Sequence, residues 1–463
     1  MSKKIWILAS VIVLIISVYG YLDLYPNAYN DALYFAFHLF TFNYSIEDYS
    51  QILMVTRWIA PLLSLSGLIL VVELVFMKIK NHVMSIGAKT MVITGSGHGM
   101  ELFCKDLKQN HIPYIASDNA YKSDCYVIMY ESDEESLTHF LKMADYYRSL
   151  HHPNLKVYIQ LESFDELLFN QYPFDVYPFS NADALAQLFW QSEMKKICKA
   201  CYEKEDAYHI CIIGDGIYAQ KLLKKGLLTN IFSIHQKIVY HVFNDWTKFQ
   251  YSYLSWKDIC CATNEYMLDE VIFHHDDWMK DRTLLDKMDL IVISHDQQYE
   301  NLKQASKLKF LKDVQCSVKS LIFDSALGDL SCFESFGNDE LTYNHKVILK
   351  ESLIQSGKAQ HENYVRLHGG VSWSSLSYFL KQSNIESANF NKFNMSEISQ
   401  YIKENKDETM NELEHIRWSR FHYMHNWQYG ERNNDLRRHN NLVPYKELNK
   451  VDQLKDQEVR NSK

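Results

Sequence analysis

A cationic surplus is missing from this chain of 463 residues: 48 lysines and arginines stand against 57 aspartates and glutamates, a formal net charge of −9. That balance argues against a nucleic-acid coat, which depends on clustered positive charge, so no nucleic-acid partner is expected. A disulfide framework is missing too. The nine cysteines are odd in number and mostly sit singly in apolar stretches, as reduced thiols in a cytosolic body would. Glycine is scarce, at 15 residues, roughly half of average usage. The sequence has no nucleophile-plus-base motif, no Walker loop and no zinc-protease helix, so recognition is expected ahead of catalysis. Cys198, Cys201, His209 and Cys211 could in number ligate zinc, but Cys211 lies in an expected buried strand, and no metal site is expected.

What is present begins with hydrophobicity. After Lys3 and Lys4 the chain runs from Ile5 to Leu22 without a charge, and a second apolar run, Trp58 to Met77, is broken only by Glu73. Each is long enough to span or nearly span a bilayer. Tyr19, Tyr21 and Asp23 stand where a signal peptide would carry small cleavage-site residues, so a two-helix membrane hairpin over 1–82 is expected. Asp23 to Thr56 contains no Lys or Arg, whereas Lys3, Lys4, Lys78 and Lys80 flank the runs. The positive-inside bias then places both termini and the main body in the cytoplasm, at the inner membrane if the source is bacterial. Between the runs, Ala32 to Phe40 is apolar and Thr41-Phe-Asn-Tyr-Ser45 follows. This segment resembles the pore helix and TVGYG filter of a two-span potassium channel, keeping Thr41 and Tyr44 but carrying Asn43 and Ser45 in place of both glycines. The resemblance implies pore-lining roles for Thr41, Asn43, Tyr44 and Ser45. A re-entrant or interfacial helix that helps the hairpin assemble accounts for the same pattern.

Five of the fifteen glycines lie in two short turns. Lys89 to Thr94 is a β-branched run leading into Gly95-Ser-Gly97-His-Gly99 and a helical pattern; His209 to Ile213 leads into Gly214-Asp-Gly216-Ile-Tyr-Ala219 and another. Strand, glycine turn and helix form the unit that brings backbone close to a pyrophosphate at a helix N-terminus. Asp118 and Asp245 follow at the end of the next strand, placed for a ribose hydroxyl. The cofactor expected is NAD or another adenine nucleotide, with an empty retained scaffold as the alternative. Strands and helices alternate through both stretches, giving an α/β class with two doubly wound, Rossmann-like domains over 89–200 and 208–335. These stretches resemble the regulator-of-potassium-conductance family of the N-terminal TrkA type, which implies nucleotide binding beneath a pore and a homo-oligomer.

From Asn411 the chain reads Glu412-Leu-Glu414-His415-Ile-Arg417-Trp418, then Asn426-Trp427-Gln-Tyr429-Gly430-Glu-Arg432, then His439 to Tyr445; upstream lie His361-Glu-Asn-Tyr364, Trp373-Ser-Ser-Leu376, Lys381, Ser383 and Asn384. Over 340–463 this is similar to the ryanodine-receptor (RyR) domain, mainly α-helical, with Ile385 where that family more often has a basic residue. Glu414, Arg417 and Trp418 share a helical face by their spacing. Trp427 and Tyr429 are expected to hold a base, Arg417 or Arg432 a phosphate or ribose, and Trp418 to pack in the core. Alternatively both tryptophans and Tyr429 are core, and Glu414 pairs structurally with Arg417. The function expected from the whole is a membrane-anchored nucleotide-signal sensor, with a ligand-gated pore as its fullest form. A membrane-tethered NAD(P)-dependent oxidoreductase and a non-conducting scaffold are the alternatives.

Overall fold

The computed structural model describes residues 3–43, 50–85, 90–118, 123–150, 155–163, 169, 172–257, 269–280, 282–310 and 316–461. It divides into two units, Met1–Lys89 and Thr90–Lys463.

The first unit holds three helices, α1 (Lys3–Leu24), α2 (Tyr29–Leu39) and α3 (Gln51–Ser85). Small residues let α1 and α3 approach: Gly20 faces Leu53, and a Cβ at Gly67 would lie 2.5 Å from the Trp6 ring. The Trp6 indole donates to the Leu63 carbonyl at 2.9 Å. Ala32, Ala36 and Leu39 of α2 are buried with Val13, Tyr21, Leu53 and Ala60, while Ile7, Leu8, Ile15, Trp58 and Leu62 stay exposed. Two stretches, Trp6–Leu24 and Gln51–Ile69, are long and apolar enough to cross a membrane. The second begins earlier than the Trp58 expected from sequence. The helix starts at Gln51, and Ile52 to Val55 extend its apolar stretch past Arg57.

The second unit is α/β. Its first sheet, in the order β2-β1-β3-β4-β5, comprises β1 (Met91–Gly95), β2 (Tyr114–Ala116), β3 (Cys125–Met129), β4 (Lys156–Gln160) and β5 (Asp175–Phe179). Its second, in the order β11-β10-β9-β6-β7-β8, comprises β6 (Tyr208–Ile213), β7 (Ile238–Phe243), β8 (Glu270–His274), β9 (Leu290–Ile293), β10 (Ser317–Leu321) and β11 (Glu334–Phe336). Every pairing in both sheets is parallel, with Ile93 beside Val127 and Cys211 beside Ile291. Helices cover both faces, so central strands such as β7 and β9 are buried along their whole length. The second sheet has the doubly wound order 3-2-1-4-5-6 when its strands are numbered from β6.

Helices cross the boundaries drawn from sequence. After α4 (His98–Gln109) and α5 (Asp133–Leu150), α6 (Asn181–Glu203) follows the first sheet, yet Phe189, Trp190, Ile197 and Cys198 pack into the core of the second with Ile210 and Leu222. The Trp190 indole donates to the Leu222 carbonyl at 2.8 Å. The C-terminal helices are likewise shared. Tyr343, Ile348, Ile354 and Ile385 join the first sheet's core, and Phe421 and Trp427 join the second's.

Candidate functional site

The glycine turns sit where the spacing places them, between β1 and α4 (His98–Gln109) and between β6 and α7 (Ile217–Thr229). Gly97 has φ +98° and Gly214 φ +135°, backbone that side chains with a Cβ avoid. Gly216, in contrast, has φ −71° and needs no such freedom; its requirement is space.

That space is already used. A Cβ at Gly216 would overlap the Asp296 carboxylate, and one at Gly97 would overlap the Glu131 carboxylate. Asp296 accepts from the Ile217 and Tyr218 amides at 3.2 and 3.4 Å, so it neutralises the positive end of α7 where a pyrophosphate would otherwise lie. Over the first turn, a Cβ at Gly99 would meet the Tyr343 ring at 2.6 Å. The two parallel sheets are of the kind compatible with dinucleotide binding, but as arranged these anion seats do not fit a pyrophosphate. Asp118 does reach the expected edge of the first sheet, where it accepts from the hydroxyls of Thr94 at 2.9 Å and Tyr130 at 3.3 Å. Asp245 accepts from Thr247, and Ala219 is buried against the second sheet. Sequence reading missed Glu131 and Asp296. The available signal was an acid two or three residues beyond the strand that neighbours each glycine strand.

In the first unit, the amides of Thr41 and Asn43 both donate to the His38 carbonyl at 3.1 Å, and the Asn43 side-chain amide lies 3.0 Å from His38 Nδ1. The described part of this segment thus turns back onto α2. Tyr44 and Ser45 lie outside the described residues.

The C-terminal residues converge most fully. A cleft of about 920 Å³ is lined by Glu414, Arg417, Trp418, Trp427 and Arg432, with Ser383, Asn384 and Tyr364 opposite. The Lys406–Tyr423 helix supplies the first three. Glu414 and Arg417 are both buried and bound by a two-pronged pair at 3.0 and 2.7 Å, and Glu414 also accepts from Ser387 at 2.9 Å. Arg417 Nη1 is buried without a hydrogen-bond partner among the described residues, as is Gln360 Oε1 in the same lining. A buried donor left unpaired costs about 1–3 kcal/mol; Arg417 lines both this cleft and a small cavity beside Glu386 and Asn389. The His439 imidazole is pushed down to about 4 by burial, with Arg432 adding to the shift. Burial also holds His422 well below the ordinary histidine value. Both are neutral near pH 7, so the cleft's positive charge comes from its arginines and Lys455, the last paired with Asp452 at 2.6 Å.

The two tryptophans exchange the roles expected of them. Trp427 is buried and stacks on Phe379 with ring centres 5.0 Å apart. Trp418 is half-buried, 4.0 Å from the His422 ring and 5.5 Å from His415, and is the ring offered to the cleft. The Lys406–Tyr423 helix is buried at every position from Met410 to Tyr423 except Trp418, while Trp427, beyond the helix end, turns onto Phe379. Tyr429 is 66% exposed, paired in a short strand with Arg438–His439, and does not line the cleft. Ile385 is packed in the core of the first sheet, and Lys381 bonds Asp175 at 2.7 Å. Cys198, Cys201 and Cys211 are free and buried; burial pushes the Cys198 thiol up to about 12, and the described residues contain no metal-ligating group.

No family model and no curated protein matches this chain. Among solved structures it is similar to the crystal structure of one of the subunits of dipicolinate synthase from Bacillus halodurans, at 10% identity over 58% of this chain and 97% of that one, with a TM-score of 0.23.

Proposed function

We propose that the chain is a membrane-anchored sensor whose C-terminal cleft takes a nucleotide-type ligand, and that occupancy of the cleft biases the membrane helices. The observation that carries this reading is the convergence of Arg417, Arg432 and the half-buried Trp418 ring on one cleft. An aromatic face suits a base and a guanidinium suits phosphate or ribose oxygens. The resemblance of this region to the RyR domain supports the same reading. Only residues 86–90 separate α3 from β1, so a change of arrangement in the cytoplasmic body has a short covalent route to the membrane segment. Ligand affinity that differs between two arrangements by a few kcal/mol is enough to shift their populations. A ligand-gated pore and a homo-oligomer are the fuller forms of this proposal. The oxidoreductase reading is weaker, because Glu131 and Asp296 stand in the glycine turns that a nicotinamide dinucleotide would use.

Melting of the full chain in detergent against NAD, ADP-ribose and cyclic nucleotides tests the proposal. At least one should raise the melting temperature in wild type and fail to do so in Arg417→Lys, which keeps a cation beside Glu414 but loses the guanidinium fork. A ligand shift of equal size in Arg417→Lys would overturn it.

A further inference from the structure

A second cavity, of about 510 Å³, lies where the two sheets and the C-terminal helices meet. Its lining is cationic: Lys221, Lys224 and Lys225 project from α7, Lys350 from the junction before the Glu351–His368 helix, and Arg437 from the C-terminal loop. Three carboxylates face them. Asp183 pairs with Lys221 at 3.0 Å and Glu386 with Lys225 at 2.8 Å, while Glu162 is committed to Ser180 and the Asn181 amide. Lys224 rests over the Tyr253 ring at 4.8 Å. Lys350 has no carboxylate within ion-pairing distance among the described residues.

Lys350 is unusual in a second respect. Its backbone lies in the left-handed region, φ +47° and ψ +29°, where a lysine is disfavoured and glycine or asparagine is the common choice. A long cation held at a strained position and facing a cavity, with Glu386 and Asp183 acting on it only from beyond ion-pairing distance, is costly to the free protein. Such strain concentrates at sites that bind. Burial, with the Lys225 ammonium nearby, also pushes the Lys350 ammonium down from its ordinary value; an anion beside it would favour the charged form and oppose that shift.

We infer that this cavity is a second ligand site, distinct from the cleft of Arg417, and that it takes a multiply charged phosphate anion such as a di- or triphosphate, with Lys350 and Lys224 as its principal contacts. The volume lies within the range of small-ligand sites. With the glycine turns closed by carboxylates, the structure moves its anion-binding capacity from the turns to the lysine face of α7. The inference does not rest on the proposed function, because Arg417 takes no part in this cavity.

The probe is inorganic tripolyphosphate, added to the full chain in detergent at constant ionic strength with potassium chloride as the control. Wild type should show a saturable rise in melting temperature that matched chloride does not give. Lys350→Gly, which relieves the left-handed backbone, should melt at or above the wild-type temperature without ligand, yet bind tripolyphosphate at least ten-fold more weakly. Lys224→Gln should weaken binding in the same direction, and Arg417→Lys should leave it unchanged. Retained affinity in Lys350→Gly, or loss of the shift in Arg417→Lys, would overturn the assignment. So would a shift in wild type no larger than that given by chloride.

Discussion

Trp418 and Trp427 differ in what their neighbours allow. Trp427 is 6% exposed and stacked on Phe379, so Trp427→Ala leaves a cavity and should cost about 3–5 kcal/mol, the range of large aromatic deletions in cores. Trp418 is half-buried at the cleft; Trp418→Ala should keep most of the stability and weaken a stacked nucleotide by about 1–3 kcal/mol, roughly ten-fold or more. A paired melt and titration checks both, and a larger drop in melting temperature for Trp418→Ala than for Trp427→Ala would reverse the assignment. At this scale the sequence placed Glu414 and Arg417 together correctly, because a three-residue spacing on a helix is a local fact. It could not assign the tryptophans. Which ring faces the core depends on Phe379, 48 positions earlier in the chain, and on the turn of the helix against α7.

The Lys406–Tyr423 helix is fixed to the second sheet by Arg420, which donates to Asp269 at 2.6 Å and to the Leu227 carbonyl at 3.0 Å, with both charged side chains buried. Arg420→Met should cost about 3–5 kcal/mol because it strands the Asp269 carboxylate, and adding Asp269→Asn should recover part of the loss. Denaturant melts of the single and double variants measure this. Across β6, β7 and β8, His209, His241 and His274 form a ladder with ring nitrogens 3.1 Å apart at each step. Burial, with His209 and His274 adding to it, pushes His241 down to about 4. The unfolded chain takes up that proton below about pH 6.5 and the folded chain only near pH 4, so stability should fall as pH drops through this window and level off beneath it. The full effect is about 3 kcal/mol. His241→Gln should flatten the dependence of the urea midpoint between pH 7 and 4; an unchanged slope would remove His241 as its source. The strands themselves were legible as β-branched runs bounded by turns. The partnership of α6 with the second sheet was not, since its apolar face carries no label saying which sheet it meets.

For the whole molecule, the sequence made the order of parts readable: an apolar hairpin, two parallel sheets and a helical end, each with its own hydrophobic period. It did not reveal that the helical end is divided between the cores of both sheets, nor that Glu131 and Asp296 occupy the glycine turns, because those contacts join segments far apart in the chain. The proposed ligand site is therefore the cleft of Arg417 and Trp418, in the C-terminal module where recognition was expected, rather than either glycine turn. The measurement that tests this most directly is calorimetric titration of the full chain in detergent with ADP-ribose, or whichever nucleotide of the panel gives the largest melting shift, carried out in parallel on Gly216→Ala and Arg417→Lys. Gly216→Ala, whose added Cβ blocks a pyrophosphate from the second turn, should bind as wild type does, and Arg417→Lys should bind at least ten-fold more weakly. Binding lost in Gly216→Ala and kept in Arg417→Lys would contradict the account and return the ligand to the glycine turn.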